Sequence, residues 1–121
     1  MAEAPYKPPR APGELGPAGR RLWRAQTRNI AHGEEELLVV LRACRQEDDN
    51  ARLEEAAQGE PVYIEGSKGQ RVLNPIWAAL GQGRLTVQRL LAGVTVIDAV
   101  SAGLRRSSAG RNLARQRWNG G

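Results

Sequence analysis

The stretch from Val62 to Pro75 constrains this chain most. Val62-Tyr63-Ile64-Glu65 and Gln70-Arg71-Val72-Leu73 are short runs rich in β-branched and aromatic residues, and nothing else in the sequence reads as β. Between them lies Gly66-Ser67-Lys68-Gly69, which supplies glycine wherever a four-residue hairpin loop needs positive φ. The second run ends in Asn74-Pro75. A residue before proline is pushed into the β region, where an N-cap sits, and proline suits the first helical position because its missing N–H costs nothing there. Asn74 is therefore expected to end the hairpin and cap a helix. An isolated two-stranded hairpin is marginal in water, so this one has to pack on helices or on another subunit.

The remaining apolar residues are mostly Ala, Leu and Val, with no Phe, which suits helices. A short helix is expected from Arg20 to Ile30, with Leu22, Trp23 and Ile30 on its packing side. A long helix is expected from Glu34 to about Gln58. Three glutamates in its first turn favour the positive end of the helix dipole. Leu37, Leu38, Leu41, Cys44 and Leu53 form its apolar side, and Gly59-Glu60-Pro61 ends it. A second long helix is expected from Pro75 to about Val94, where Ile76, Leu80, Val87, Leu91 and Val94 recur at helical spacing with Trp77 and Leu90 beside them. Gly81 and Gly83 interrupt it, which implies a kink or close helix packing, since each costs about 1 kcal/mol relative to Ala.

The fold class that results is mainly α: a short N-terminal helix, two long helices linked by a β-hairpin, and a basic C-terminal tail with a short helix. Residues 1–19, with five prolines and three glycines, read as a flexible arm. Residues 20–97 form the helical core and oligomerisation domain. Residues 98–121 form the tail, with its short helix near Asn112 to Trp118.

The net charge of +5 conceals a segmental pattern. Residues 20–33 carry four arginines and no acid, 34–60 carry nine acids against three bases, and 98–121 carry five arginines against one acid. Arg20, Arg24 and Arg28 recur every fourth residue as one stripe, with Arg21 beside it. Such a stripe is either a solvated face or a phosphate-contacting one, and the absence of local carboxylates keeps the second reading in play. The tail arginines Arg105, Arg106, Arg111, Arg115 and Arg117, with Trp118, suit phosphates and stacking or docking on a protein partner.

Other chemistry finds little support. The chain shows no P-loop pattern, no acidic strand of the kind that holds Mg²⁺, and no Cys/His cluster, so no catalytic residue, metal site or cofactor is expected. His32, the one histidine, reads as a surface-loop residue. Cys44 reads as a small buried hydrophobe. Asp48-Asp49 reads as a solvated acidic face or an intersubunit partner for arginines, because adjacent helical residues point about 100° apart. The absence of an internal disulfide suits an intracellular protein. No secretory h-region and no run of about 18 apolar residues is present, so no membrane association is expected.

Several short motifs occur in a telling order: Leu22-Trp23-Arg24; Glu36-Leu37-Leu38 with Ala43-Cys44-Arg45; Gly66-Ser67-Lys68-Gly69-Gln70 followed by Asn74-Pro75; Arg89-Leu90-Leu91-Ala92-Gly93. As an ordered set they resemble phage terminase small subunits. Arg111-Asn112-Leu113-Ala114-Arg115-Gln116-Arg117-Trp118 is similar to the C-terminal signature of a subset of them. Gly81, Gly83 and the lack of a proline in 94–100 depart from the pattern. The resemblance implies a non-enzymatic, ring-forming adaptor of a viral DNA-packaging machine in the host cell cytoplasm. Its partners would be double-stranded viral DNA and a terminase large subunit that carries the ATPase and nuclease. On this reading DNA meets Arg20, Arg21, Arg24, Arg28 and the tail arginines, with Lys68 and Arg71 as lesser contacts. Val62, Ile64, Gly66, Gly69, Asn74, Pro75, Trp77, Leu80, Val87 and Leu91 carry the hairpin and the subunit contacts. The alternatives are a dimeric helical transcriptional regulator that reads DNA with Gln26, Thr27 and Asn29 beside the arginines, and a head-assembly or partner-docking protein without a DNA role.

Overall fold

A computed structural model describes residues 5–109, and their side chains as far as Ile97 apart from Val96. Helix α1 spans Pro17–Thr27, α2 Glu34–Ala57 and α3 Pro75–Ala109, with strands β1 (Tyr63–Glu65) and β2 (Arg71–Leu73) between the two long helices. The protein is thus mainly helical with a two-stranded antiparallel hairpin between helices.

The hairpin follows its sequence signals. Tyr63 pairs with Leu73, Ile64 with Val72 and Glu65 with Arg71. Gly69 takes φ +80 in the loop, the left-handed region that favours glycine. The Gly66 amide donates to the Gln70 carbonyl at 2.7 Å and closes the loop. Asn74 is buried at the hairpin base. Its amide N–H donates to the Val62 carbonyl at 2.7 Å, while its side-chain oxygen accepts from the Ile76 N–H at 3.3 Å. One residue thus closes the ladder and caps α3, as its position before Pro75 predicts. Its side-chain NH₂ also donates to the Pro61 carbonyl at 3.0 Å and to Glu60 Oε2 at 3.2 Å. The chain entering the hairpin is thereby tied to the chain leaving it.

Helices α2 and α3 run antiparallel, since Gly83 meets Gln46 and Asn50, while Val94 joins Val40 and Cys44 in the core. Gly83 is buried against the Asn50 side chain, which leaves no room for a Cβ, whereas Gly81 faces open space. Close packing, not a kink, accounts for Gly83, and α3 passes through both glycines as one helix. Leu80, Val87 and Val94 are buried on α3; Val40, Ala43, Cys44 and Ala57 are buried on α2. Leu15 and Trp23 complete the core from the N-terminal side.

Four expectations need correction. Residues 5–16 are no loose arm: Leu15 is buried, Trp23 Nε1 donates to the Pro9 carbonyl at 2.9 Å, and α1 begins at Pro17 instead of Arg20. The second long helix does not stop near Val94 but continues to Ala109, because no proline follows and the alanines, leucine and arginines of 99–109 sustain it. Residues 98–109 therefore belong to α3, not to a separate tail, while the short helix expected near 112–118 lies outside the described residues. Finally, Ile30 and Leu38 are exposed instead of packed; α1 ends before Ile30, and the buried stripe of α2 runs through Val40, Ala43 and Cys44.

Candidate nucleic-acid interface

The elements that carry the arginines are held by one carboxylate. Helix α1 has glycine at its N-cap and no side chain of its own to satisfy its first amides. Asp48, in the middle of α2, supplies the missing acceptor: Oδ2 takes the Gly16 N–H at 2.7 Å and Oδ1 takes the Gly19 N–H at 2.8 Å. This is the work of a cap residue delivered from another helix, and it sets a negative charge at the positive end of the α1 dipole. Gly16 and Gly19 have to be glycine for the approach. A Cβ on Gly19 would stand 2.5 Å from Asp48 Oδ2 and 2.7 Å from the Cys44 carbonyl. Asp48 is therefore not the solvated acid expected of it, and α1 is locked across α2 through backbone amides. Asp49 keeps an outward role, accepting from Arg52 at 2.9 Å.

Anchored in this way, α1 turns Arg20, Arg24 and Arg28 outward, and all three are exposed. Among the described residues none of them forms an ion pair. Residues 8–13 run alongside, and between them and α1 lies a groove of about 670 Å³ lined by Arg10, Arg20, Arg24 and Arg28 over Trp23 and Thr27. No carboxylate lines it. The one acid of residues 5–16, Glu14, is turned away to Arg45 at 2.6 Å. Arg20 donates to the Gly13 carbonyl at 3.3 Å across the groove. Trp23 is buried, so it forms a floor and offers no open ring for stacking.

The other expected contact residues lie elsewhere. Arg21 leaves the stripe and lines a separate depression with Ala18, Leu22 and Glu47. Lys68 and Arg71 are exposed on the hairpin, where the Arg71 guanidinium lies 4.7 Å from the centroid of the Tyr63 ring. Arg105 and Arg106 fall in the last turns of α3; Arg111, Arg115 and Arg117 lie outside the described residues. Of the side chains named for base reading, only Asn29, beyond the end of α1, is exposed. Thr27 is buried and donates its hydroxyl to the Trp23 carbonyl at 2.8 Å, and Gln26 is half-buried.

Of the residues assigned to subunit contacts, Leu80 and Val87 are buried within the chain and leave no surface for a neighbour. Leu91 and Trp77 are half-buried, and Trp77 Nε1 donates to the Glu60 carbonyl at 3.3 Å. The large apolar residues left exposed are Val62, Tyr63, Ile64 and Leu73 clustered on the hairpin, with Tyr6, Ile30, Leu38 and Leu85 elsewhere. Of the hairpin's apolar side chains only Val72 is half-buried, so most of its apolar surface is open.

Among the described residues no group of His, Cys, Asp and Glu could hold a metal ion. His32 is half-buried, with a ring nitrogen 2.7 Å from the Gln26 carbonyl. Burial, reinforced by the nearby charges of Asp48 and Glu47, pushes the Cys44 thiol up from 9.0 to about 12, so it stays protonated and unreactive. No helix among the described residues is long and apolar enough to cross a membrane. No protein-family model, curated protein or solved structure matches this chain.

Arg10, Asp48 and the ordered segment ahead of α1 are what sequence reasoning missed. The signal available was weak: a Gly-x-x-Gly spacing at the start of a helix, and an acid on another helix too far along the chain to link to it.

Proposed function

We propose that this chain is a non-enzymatic DNA-binding adaptor that assembles through its hairpin, of the kind found in phage terminases as the small subunit. The observation that carries the DNA part is the uncompensated guanidinium row of α1: Arg20, Arg24 and Arg28 exposed on one face, with no carboxylate in the groove beside them. Such a row suits phosphate oxygens, which position a protein on a duplex without reading its sequence. Of the three base-reading candidates, Thr27 is buried, Gln26 half-buried and the exposed Asn29 lies beyond the end of α1, which favours the adaptor over a transcriptional regulator. The assembly part is supported by the open apolar hairpin and by the ordered motifs around Gly66–Gln70 and Asn74-Pro75 that resemble that family. Delivery of DNA to a large ATPase and nuclease subunit follows from the same resemblance.

Salt-dependent duplex binding tests the reading. Each phosphate contact contributes about 0.9 to the slope of log K against log salt. Replacing Arg20, Arg24 and Arg28 together by Ala should lower that slope by about 2.7 and leave the helical circular dichroism unchanged. An unaltered slope would take α1 off the DNA surface, and undetectable binding in dilute buffer would favour a head-assembly or docking protein.

A further inference from the structure

The segment ahead of α1 is built as the second wall of the arginine groove. It is tied down at three points: the Tyr6 hydroxyl lies 2.7 Å from the Thr27 carbonyl and 3.0 Å from that of Ile30, Trp23 Nε1 donates to the Pro9 carbonyl at 2.9 Å, and Leu15 is buried. The Tyr6 hydroxyl donates to the Thr27 carbonyl, in the last turn of α1 where carbonyls lack intrahelical partners. Pro8 and Pro9 stiffen the crossing, since proline fixes φ and loses little conformational freedom on ordering. The result holds Arg10 across the groove from Arg20, Arg24 and Arg28.

Four guanidiniums around one groove repel one another, and Glu14, which could neutralise them, is already engaged by Arg45 at 2.6 Å. An occupant carrying a row of negative charges relieves that repulsion. Arg20 to Arg28 rises about 12 Å along the helix, the axial rise of three to four nucleotides of one DNA strand. The floor is the buried Trp23 with Thr27, whose hydroxyl is already engaged by the Trp23 carbonyl, so it offers a passing strand neither a stacking face nor a base-specific donor.

We infer that Arg10, carried by the proline segment, is a phosphate-binding residue, and that the groove between this segment and α1 clasps one sugar–phosphate strand from both sides. The inference rests on the DNA-binding reading above and adds the clasp to it. The chain's own tether, Tyr6, positions Arg10 and touches no DNA.

The test measures binding of the full-length chain to a mixed-sequence duplex across a salt series. Arg10→Ala should lower the slope by about 0.9 and weaken binding about eightfold at 0.1 M salt. Arg52→Ala removes the same charge from an ion pair on the outer side of α2 and serves as the control; it should change neither. Tyr6→Phe and Trp23→Phe together keep every charge but remove both hydrogen-bonded ties of the segment, so in that background the effect of Arg10→Ala should shrink. Arg10→Ala indistinguishable from Arg52→Ala overturns the clasp and leaves α1 as the DNA surface. An undiminished Arg10 effect in the background lacking both ties also overturns it, since Arg10 would then act as a loose charge. No binding by the intact chain at low salt sinks both the clasp and the reading beneath it.

Discussion

Asp48 joins three parts of the molecule through two oxygens. Its carboxylate accepts from Gly16 and Gly19 and lies one helical turn from Cys44, whose carbonyl Gly19 approaches. Asp48→Ala leaves two amides at a buried helix end without an acceptor, and each orphaned group costs about 1–3 kcal/mol. The expected loss is about 2–3 kcal/mol in urea denaturation, at the upper end for a helix cap. Asp48→Asn, which keeps an acceptor oxygen, should recover part of it. Cys44 offers a second prediction with a defined sign. Its folded-state pKa is raised by burial first and by Asp48 and Glu47 second, from 9.0 to about 12. The unfolded chain therefore releases the thiol proton at lower pH than the folded one. The stability associated with the protonated thiol is complete below pH 9 and is lost as pH rises toward 12, by at most about 1.4 kcal/mol per pH unit. The stability difference between the wild type and Cys44→Ala should stay level below pH 9 and shift against the wild type above it. In the folded state at pH 8 the thiol should resist alkylation by iodoacetamide, and unfolding should expose it.

Helix α3 is the element that shows most clearly how one residue type can serve two ends. Gly83 lies against Asn50 and Gln46, so the backbones of α2 and α3 approach there as they could not with any larger residue. Gly83→Ala forces the Asn50 side chain out of a buried position in which its amide nitrogen already lacks a partner. The expected cost is about 1–3 kcal/mol, within the range for overpacking a core. Gly81 is exposed, helical and faces open space. Gly81→Ala should therefore stabilise the protein by up to about 1 kcal/mol through helix propensity. Opposite signs for two glycines two residues apart, read from thermal melts, would establish that packing decides the first and propensity the second. The hairpin, by contrast, is held by Asn74 at its base and by its own ladder, with its side chains outside the helical core.

The molecule as a whole buries Leu80, Val87 and Val94 inside one chain and leaves Val62, Tyr63, Ile64 and Leu73 in the open. If copies meet through that surface, native mass spectrometry should find an oligomer, and Ile64→Asp should shift it toward the monomer mass. Ile64 is 36% exposed, so this change should leave the helical fold intact. An unchanged mass distribution in a folded Ile64→Asp variant would move the subunit contact away from the hairpin. The same view explains which features the sequence carried on its face. The hairpin and its cap are written in Gly66, Gly69, Asn74 and Pro75, each acting on backbone within a few residues of itself. The limits of α2 follow likewise from the first-turn glutamates and from Gly59, which takes φ +81 beyond the last turn. The guanidinium stripe is a matter of fourfold spacing, and it too was legible. The second wall of the groove, the depression that Arg21 shares with Glu47 and the cap on α1 were decided only when distant segments met. A proline-rich segment has no periodicity to betray its contacts, and a carboxylate in the middle of one helix says nothing locally about the amides of another. Local stereochemistry therefore determined where this chain bends and coils, while the packing of α1 across α2 decided which of its charges face one another.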